Sequence, residues 1–574
     1  MRKALTAALC AVLLAGCANI PDRTPPKIVQ QPSTPTIADA AHEPTPGLDA
    51  YEVVRDFLDQ SGNKGAANTY LTDEARASWP RQPVQPLISL DRFRQQPKPA
   101  AVPETESKTK VIVEVTARQF GYLKSDGSFF PQESDIVRTI VVQLQPSGQW
   151  RISAPPPELL MTKEVFNAAY RQVQLQFFDP EQRVLVPDTR YLPPSEGIEA
   201  DVMEMLRDGP SEVLSASVRS PMAGIEEFGN TRKLPDGTIV VNLKKVDSPP
   251  DERRRLAAQI VTSLRQVSTG QVRLLVENRS LLPEKENWRA SDFDSYLRLA
   301  LPTSDLFGLV AVGGKIRSMR DGEPIKGPAG LGGYTIRSAA QSLDGSELAV
   351  VDEGPTGPRL RIGRTEGELH EVSLSTVPSA LTRPTWLLGD ESDRPGSEVW
   401  TVVNSTSVVR VVRNPDGRWQ ESAVDAMDLT RGGGTISQLR LSRDGVRVAA
   451  VVNGQVKVAS VLRGNGTVAI RSPRTLQEKT LKDVVGVDWA DPVTLIVVCR
   501  QNSIPVATVS IDGQNLQHWV DSPLTLPVQW VTASPNRQPI VTDGSGMWQS
   551  KGPTSTWQRH PFTEGAASMP FYPG

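Results

Sequence analysis

The sequence predicts a multidomain fold in which two small α+β units precede an all-β propeller of five or six blades. Three observations carry this prediction. Helical periodicity recurs through roughly the first 300 residues and then disappears. Short β-rich runs then alternate with turn dipeptides at Asp321-Gly322, Asp344-Gly345, Asp416-Gly417, Asp444-Gly445, Asn453-Gly454, Asn465-Gly466, Asp512-Gly513 and Asp543-Gly544. A weak repeat runs through them: the stretch from Gln341 through Asp344-Gly345 to Val350 is echoed from Leu441 through Asp444-Gly445 to Ala450. Taking Gln341, Trp386, Leu441, Trp489 and Trp530 as equivalent gives spacings of 45, 55, 48 and 41 residues. Four short strands per roughly 40–50 residues is one propeller blade. A pair of β-sandwiches is the alternative for this region.

The N-terminus reads as an export signal. Arg2 and Lys3 precede an apolar run over residues 4–15, too short to span a bilayer. The run ends in Leu14-Ala15-Gly16-Cys17, which resembles the bacterial lipobox. That resemblance implies that residues 1–16 are removed as a signal peptide and that Cys17 is diacylated. An ordinary secretory leader that happens to hold a cysteine is the competing reading. No later segment approaches 18 consecutive apolar residues, so a lipid on Cys17 would be the anchor to the extracytoplasmic face of the cell membrane. Residues 17–47 carry that anchor and a tether rich in Pro and Thr, which favours extended chain. Of three cysteines, Cys10 leaves with the leader and Cys17 becomes a thioether, so Cys499 has no partner for a disulfide. Its β-branched setting, Val493 to Val498, marks a buried, inert thiol.

Residues 48–156 read as helices followed by a curled antiparallel sheet. Leu48, Tyr51, Val54, Phe57 and Leu58 share one helical face. A second short helix carries Ala66, Ala67, Tyr70 and Leu71, and Thr72 caps a third ahead of Asp73 and Glu74. Strands follow at 111–117, 136–144 and 150–153, with a turn at Asp126-Gly127. This order resembles the NTF2-like cone, a fold that often holds a pocket. Trp79 and Phe93 are candidates for lining one, and core packing is the plainer role for both.

Residues 157–304 form the second unit. A helix at 163–170 leads into strands at 173–178 and 185–191. Ile198, Val202, Met205 and Leu206 give a helix face that stops at Gly209-Pro210. Strands at 218–221 and 237–243, a helix lined by Leu256, Ile260, Leu264 and Val267, and a strand at 272–276 complete one sheet. With Asp236-Gly237 and the late helix–strand pair, this order resembles the GerMN domain of sporulation and envelope proteins. Arg253-Arg254-Arg255 reads as a solvated helix start, since Asp251 and Glu252 adjoin it. Residues 305–574 are the propeller, with a strand within 306–312 placed to close the ring against the last blade.

Composition narrows the chemistry. Hydrophobic residues are 38% and charged residues 22% of the 574, enough apolar content for packed cores. A net charge of -2 argues against nucleic acid as a partner. Three cysteines and four scattered histidines argue against a Cys/His metal centre. No Gly-x-Ser-x-Gly elbow or Gly-Lys-Ser/Thr phosphate loop occurs, and Gly432-Gly433-Gly434 reads as a blade connection. No enzymatic activity and no cofactor are expected.

The lipobox, Asn63-Lys64-Gly65, Tyr70-Leu71-Thr72, Trp79-Pro80, the GerMN-like unit and the propeller together resemble LpqB, an actinobacterial lipoprotein family. The resemblance covers nearly the whole mature chain. It implies an envelope lipoprotein that binds the extracytoplasmic domain of the sensor histidine kinase MtrB. Through that contact it would modulate phosphorylation of MtrA and cell-wall homeostasis. It carries over no partner-binding residue. Two other classes stay open: a scaffold that binds peptidoglycan or another wall glycan through exposed aromatics, and a hydrolase with an unrecognised carboxylate site.

Overall fold

A computed structural model describes residues 44–574 apart from 63, 81–83, 96–108, 194, 196, 226–227, 299–304, 388–395, 465 and 563–566. Cys10, Cys17 and the lipobox, the tether to residue 43, Asn63, Asn465 and the side chain of Phe93 lie outside the described residues.

The first helix, Ala50–Asp59, starts where Asp49 accepts the backbone N–H groups of Tyr51 and Glu52, both at 2.8 Å, and Glu52 reaches back to the Asp49 N–H. Val53, Val54, Phe57 and Leu58 form its buried face. Thr72 caps Asp73–Ala77 by accepting the Ala75 N–H at 3.3 Å, as its position before Asp73 and Glu74 predicts. These helices pack on a five-stranded sheet ordered Trp150–Ala154, Phe129–Leu144, Lys110–Leu123, Gln85–Gln95 and Met161–Thr162. The strand Gln85–Gln95 has no counterpart in the sequence reading. It pairs antiparallel with Lys110–Leu123 and parallel with Met161–Thr162. Trp79 is buried beside Phe57, ring centroids 5.4 Å apart, and its indole N–H donates to the Pro156 carbonyl at 2.7 Å. Its role is core packing.

The second unit differs from the expected single sheet. Arg171–Phe178 and Leu185–Leu192 make a hairpin of their own. A separate sheet runs Arg279–Ser280, Val272–Val276, Ile239–Leu243 and Phe228–Lys233, with Asn287–Trp288 beside Val272–Val276. Val272–Val276 lies parallel to Ile239–Leu243, and Pro250–Leu264 is the crossover helix that a parallel pair requires. Every residue from 256 to 264 of that helix is buried, so it serves one core shared with both the hairpin and the sheet. Residues 218–221 form no strand: Arg219 makes only an isolated bridge to Phe178, with backbone bonds of 2.8 and 2.9 Å. Arg253 is a brace, not a free cation at a helix start. It donates to the carbonyls of Ser248, Val246 and Leu281 at 2.8, 3.2 and 3.3 Å.

The remaining strands form six sheets in a ring, which excludes the paired-sandwich alternative. Five are four-stranded, and their innermost strands are Ile336–Gln341, Thr385–Trp386, Ile436–Leu441, Val484–Asp491 and Trp530–Thr532. The five residues taken as repeat equivalents all fall on these strands. The sixth sheet joins Lys315–Ser318, Leu309–Val312 and the last strand, Met569–Phe571. Each innermost strand packs on the next, and Met569–Phe571 touches both Trp530–Thr532 and Ile336–Gln341. Pairing of the last strand with an early one removes the open edges of the ring. Gly345 and Gly445, at φ of +80° and +73°, occupy the left-handed turn positions that the Asp-Gly signals predict.

Candidate functional site

The innermost strands, each packed on the next, ring the centre of the propeller. The turn after Ile436–Leu441 faces the N-terminal units. Across that junction the Tyr191 hydroxyl donates to Asp512 Oδ2 at 2.8 Å, and burial followed by the Asp512 charge raises the Tyr191 pKa. Gln514 donates to Asn167 Oδ1 at 3.2 Å, and Lys479 pairs with Asp135 at 3.0 Å. The Arg447 guanidinium donates to the Pro187 carbonyl and the Ser460 hydroxyl to the Val213 carbonyl. Val446, from a blade turn, packs in the core of the second unit. A cavity of about 290 Å³ remains between hairpin and propeller, lined by Gln176, Leu185, Arg443, Asp444, Trp489 and Val493 among others.

Inside the channel, four charged side chains from three successive blades converge. Asp488 lies on Val484–Asp491, Arg440 on Ile436–Leu441 with Arg443 in the turn after it, and Arg383 just before Thr385–Trp386. Asp488 Oδ1 accepts Arg440 Nε at 3.2 Å and the Trp489 N–H at 3.0 Å. Its Oδ2 accepts the Thr532 hydroxyl and the Ala533 N–H, both at 3.1 Å, and meets Arg383 Nη1 at 3.5 Å. Burial opposes this charge, but Arg440, Arg383 and Arg443 outweigh it and hold the Asp488 carboxyl below its ordinary range.

The arginines are not equally satisfied. Arg440 sends Nη1 to the Pro384 carbonyl at 2.8 Å and Nη2 to the Gly574 carbonyl at 3.1 Å, so each of its nitrogens has a partner. Arg443 Nη2 reaches the Pro573 carbonyl at 3.0 Å, while its Nε is buried without a partner. Arg383 has only the long contact to Asp488, and its Nε and Nη2 are buried without a hydrogen-bond partner. Burial first, and the Arg440 charge second, lower its pKa. Its guanidinium lies 5.7 Å from the centre of the Trp530 ring. Arg383 also lines a cavity of about 330 Å³ together with Ser338, Leu381, Thr382, Gln438 and Trp530 among others.

Cys499 is buried and free, and burial, with the Asp483 charge, pushes its thiol up to about 12. It belongs to the core of its blade. The channel residues were not singled out from the sequence. The available signal was a charge set directly beside the repeat positions: Arg440 precedes Leu441, and Asp488 precedes Trp489. An innermost strand alternates faces, so the neighbour of a core residue points into the channel.

Comparison with known proteins covers most of the chain. Residues 314–573 match the family described as the lipoprotein LpqB beta-propeller domain. Residues 43–167 match the lipoprotein LpqB N-terminal domain, and residues 173–282 a family described as sporulation and spore germination. The chain is 28% identical over 592 residues to Lipoprotein LpqB of Rhodococcus opacus, covering 98% of this chain and 96% of that protein. It is 28% identical over 610 residues to Lipoprotein LpqB of Nocardia farcinica, covering 99% and 98%. Identity is 27% over 603 residues to Lipoprotein LpqB of Mycobacterium paratuberculosis, covering 100% and 98%.

Proposed function

The chain belongs to the LpqB lipoprotein family, and on that premise we propose that it is a lipid-anchored regulator acting by binding rather than by catalysis. Cys17 carries the lipid, and the rest of the chain stands on the extracytoplasmic face of the cell membrane. Its partner is the extracytoplasmic domain of a sensor histidine kinase of the MtrB type, whose signalling it modulates. The observation that supports this reading is the junction. Tyr191–Asp512, Arg447–Pro187 and Lys479–Asp135 lock the N-terminal units to the propeller, and the described residues from 44 onward pack as one unit. A rigid body on a lipid tether confines both partners to one surface, so weak direct contacts suffice for regulation. Among the described residues no helix is long and apolar enough to cross a membrane, in keeping with anchoring by lipid.

The test is kinase autophosphorylation and phosphotransfer in reconstituted membranes, with wild type, Cys17→Ala and a form cut after the first unit. Cys17→Ala should lose incorporation of an alkyne fatty acid and regulate poorly at equal copy number, while still binding the isolated sensor domain. Equal regulation by the untethered protein would overturn the tethering argument. Full regulation by the anchored first unit alone would move the docking surface away from the propeller.

A further inference from the structure

We propose that the centre of the propeller binds one neutral sugar unit, in the cavity of about 330 Å³ where several innermost strands begin. This goes beyond the kinase reading and does not depend on it. Placement comes first. Ser338 and Gln438 lie near the starts of Ile336–Gln341 and Ile436–Leu441, while Trp530 and Met569 open Trp530–Thr532 and Met569–Phe571. In Ile436–Leu441 the cavity lies at the end opposite the turn that carries Val446 and Arg447 to the N-terminal units. At that blade the junction therefore leaves the cavity uncovered. Its volume is at the small end for ligand pockets, which run from about 300 to 1,000 Å³.

The lining then selects the ligand. Its two charged residues are both opposed: Arg337 pairs with Glu353 at 3.0 Å and Arg383 with Asp488 at 3.5 Å. The unpartnered edge of Arg383 is sealed from solvent and adds no donor to the cavity. What stays open is neutral. The Ser338 and Ser405 hydroxyls and the Gln438 carboxamide make no hydrogen bond among the described residues, and none of them is sealed. Between them they can both donate and accept. The remaining wall is mainly apolar, with Leu381, Met569 and the Trp530 ring. The Trp530 indole N–H already donates to the Pro570 carbonyl at 3.0 Å, so this residue offers its ring to a ligand. A pyranose carries hydroxyls around its edge and C–H groups on its face, and so meets neutral polar groups and an aromatic ring at once. A carboxylate, phosphate or ammonium would find no unopposed counter-charge here.

The test uses the full-length chain in a sugar-free detergent at constant ionic strength. Glucose, N-acetylglucosamine and glucuronate are titrated separately, with binding read by calorimetry and by saturation-transfer NMR on the sugar protons. Saturable binding of glucose or N-acetylglucosamine is expected, with glucuronate, the same ring carrying a carboxylate, weaker than glucose by about tenfold. Chitotriose distinguishes the source: tighter binding than N-acetylglucosamine points to a unit within a glycan, and equal binding to a free sugar. Gln438→Ala removes an open amide that supports no other described group and should weaken binding about fivefold. Trp530→Ala should weaken it by about tenfold or more, and Trp530→Phe, which keeps a ring face, by less than about threefold. Binding of neither neutral sugar, glucuronate binding as tightly as glucose, or undiminished affinity in both Gln438→Ala and Trp530→Ala would each overturn the proposal. The contrast between glucose and glucuronate on wild type stands even if a variant fails to fold.

Discussion

Arg440 and Arg383 are buried to the same degree, share the carboxylate of Asp488 and sit one blade apart, yet only Arg440 has all its nitrogens bonded. The difference lies in which backbone arrives beside each. The last residues of the chain deliver the Gly574 carbonyl to Arg440, and the turn before Thr385–Trp386 delivers that of Pro384. Nothing described delivers an oxygen to the Nε and Nη2 edge of Arg383. Burial of an arginine is therefore uninformative by itself. Its surroundings decide how far its donors are met.

Removal of the shared carboxylate should have the largest effect. Asp488→Asn leaves three buried guanidinium groups without their counter-charge and should destabilise the propeller by about 3–5 kcal/mol, measured by denaturant unfolding. The same group predicts a pH dependence. Its folded pKa is depressed below the unfolded value of about 3.9, so its stabilisation is full above that pH and is lost as pH falls through the folded value. Melting temperature followed downward from pH 5 should fall less steeply in Asp488→Asn than in wild type.

Arg440→Gln comes next. It strips donors from Asp488 and two carbonyls and should cost about 2–3 kcal/mol in the same unfolding assay. Tyr191→Phe tests the junction end of the channel: loss of one buried bond to a carboxylate should cost about 1.5 kcal/mol and speed proteolytic separation of the N-terminal units. Arg383→Gln should move stability by less than about 1 kcal/mol, because it loses one 3.5 Å contact and relieves Arg440 of a like charge. A cost for Arg383→Gln equal to that of Arg440→Gln would erase the contrast between the two arginines.

Much of the fold was legible because its signals are local. Thr72 ahead of Asp73 and Glu74 caps a helix wherever the chain goes, and Asp344-Gly345 and Asp444-Gly445 turn by their own backbone preference. Gln85–Gln95 was not legible, since Pro86, Asp91, Arg92 and Arg94 break the usual strand pattern. It is a strand because neighbours on both sides offer hydrogen bonds. The separate hairpin at Arg171–Phe178 was misread for a related reason. Its burial is supplied by Pro250–Leu264, through contacts such as the Gln176 N–H on the Ser263 hydroxyl at 2.9 Å.

By itself the sequence determined the order of two α+β units before a propeller and the innermost strands of five of its six blades, because periodicity and turn chemistry act over a few residues. Tertiary structure alone decided the number of blades and the charge cluster. Six blades, not five, require Met569–Phe571 to find Leu309–Val312 at the other end of the propeller region. The cluster requires Arg383, Arg440, Asp488 and Thr532 to meet from four successive blades. Closure of the ring sets these distances, and no short stretch of chain encodes it.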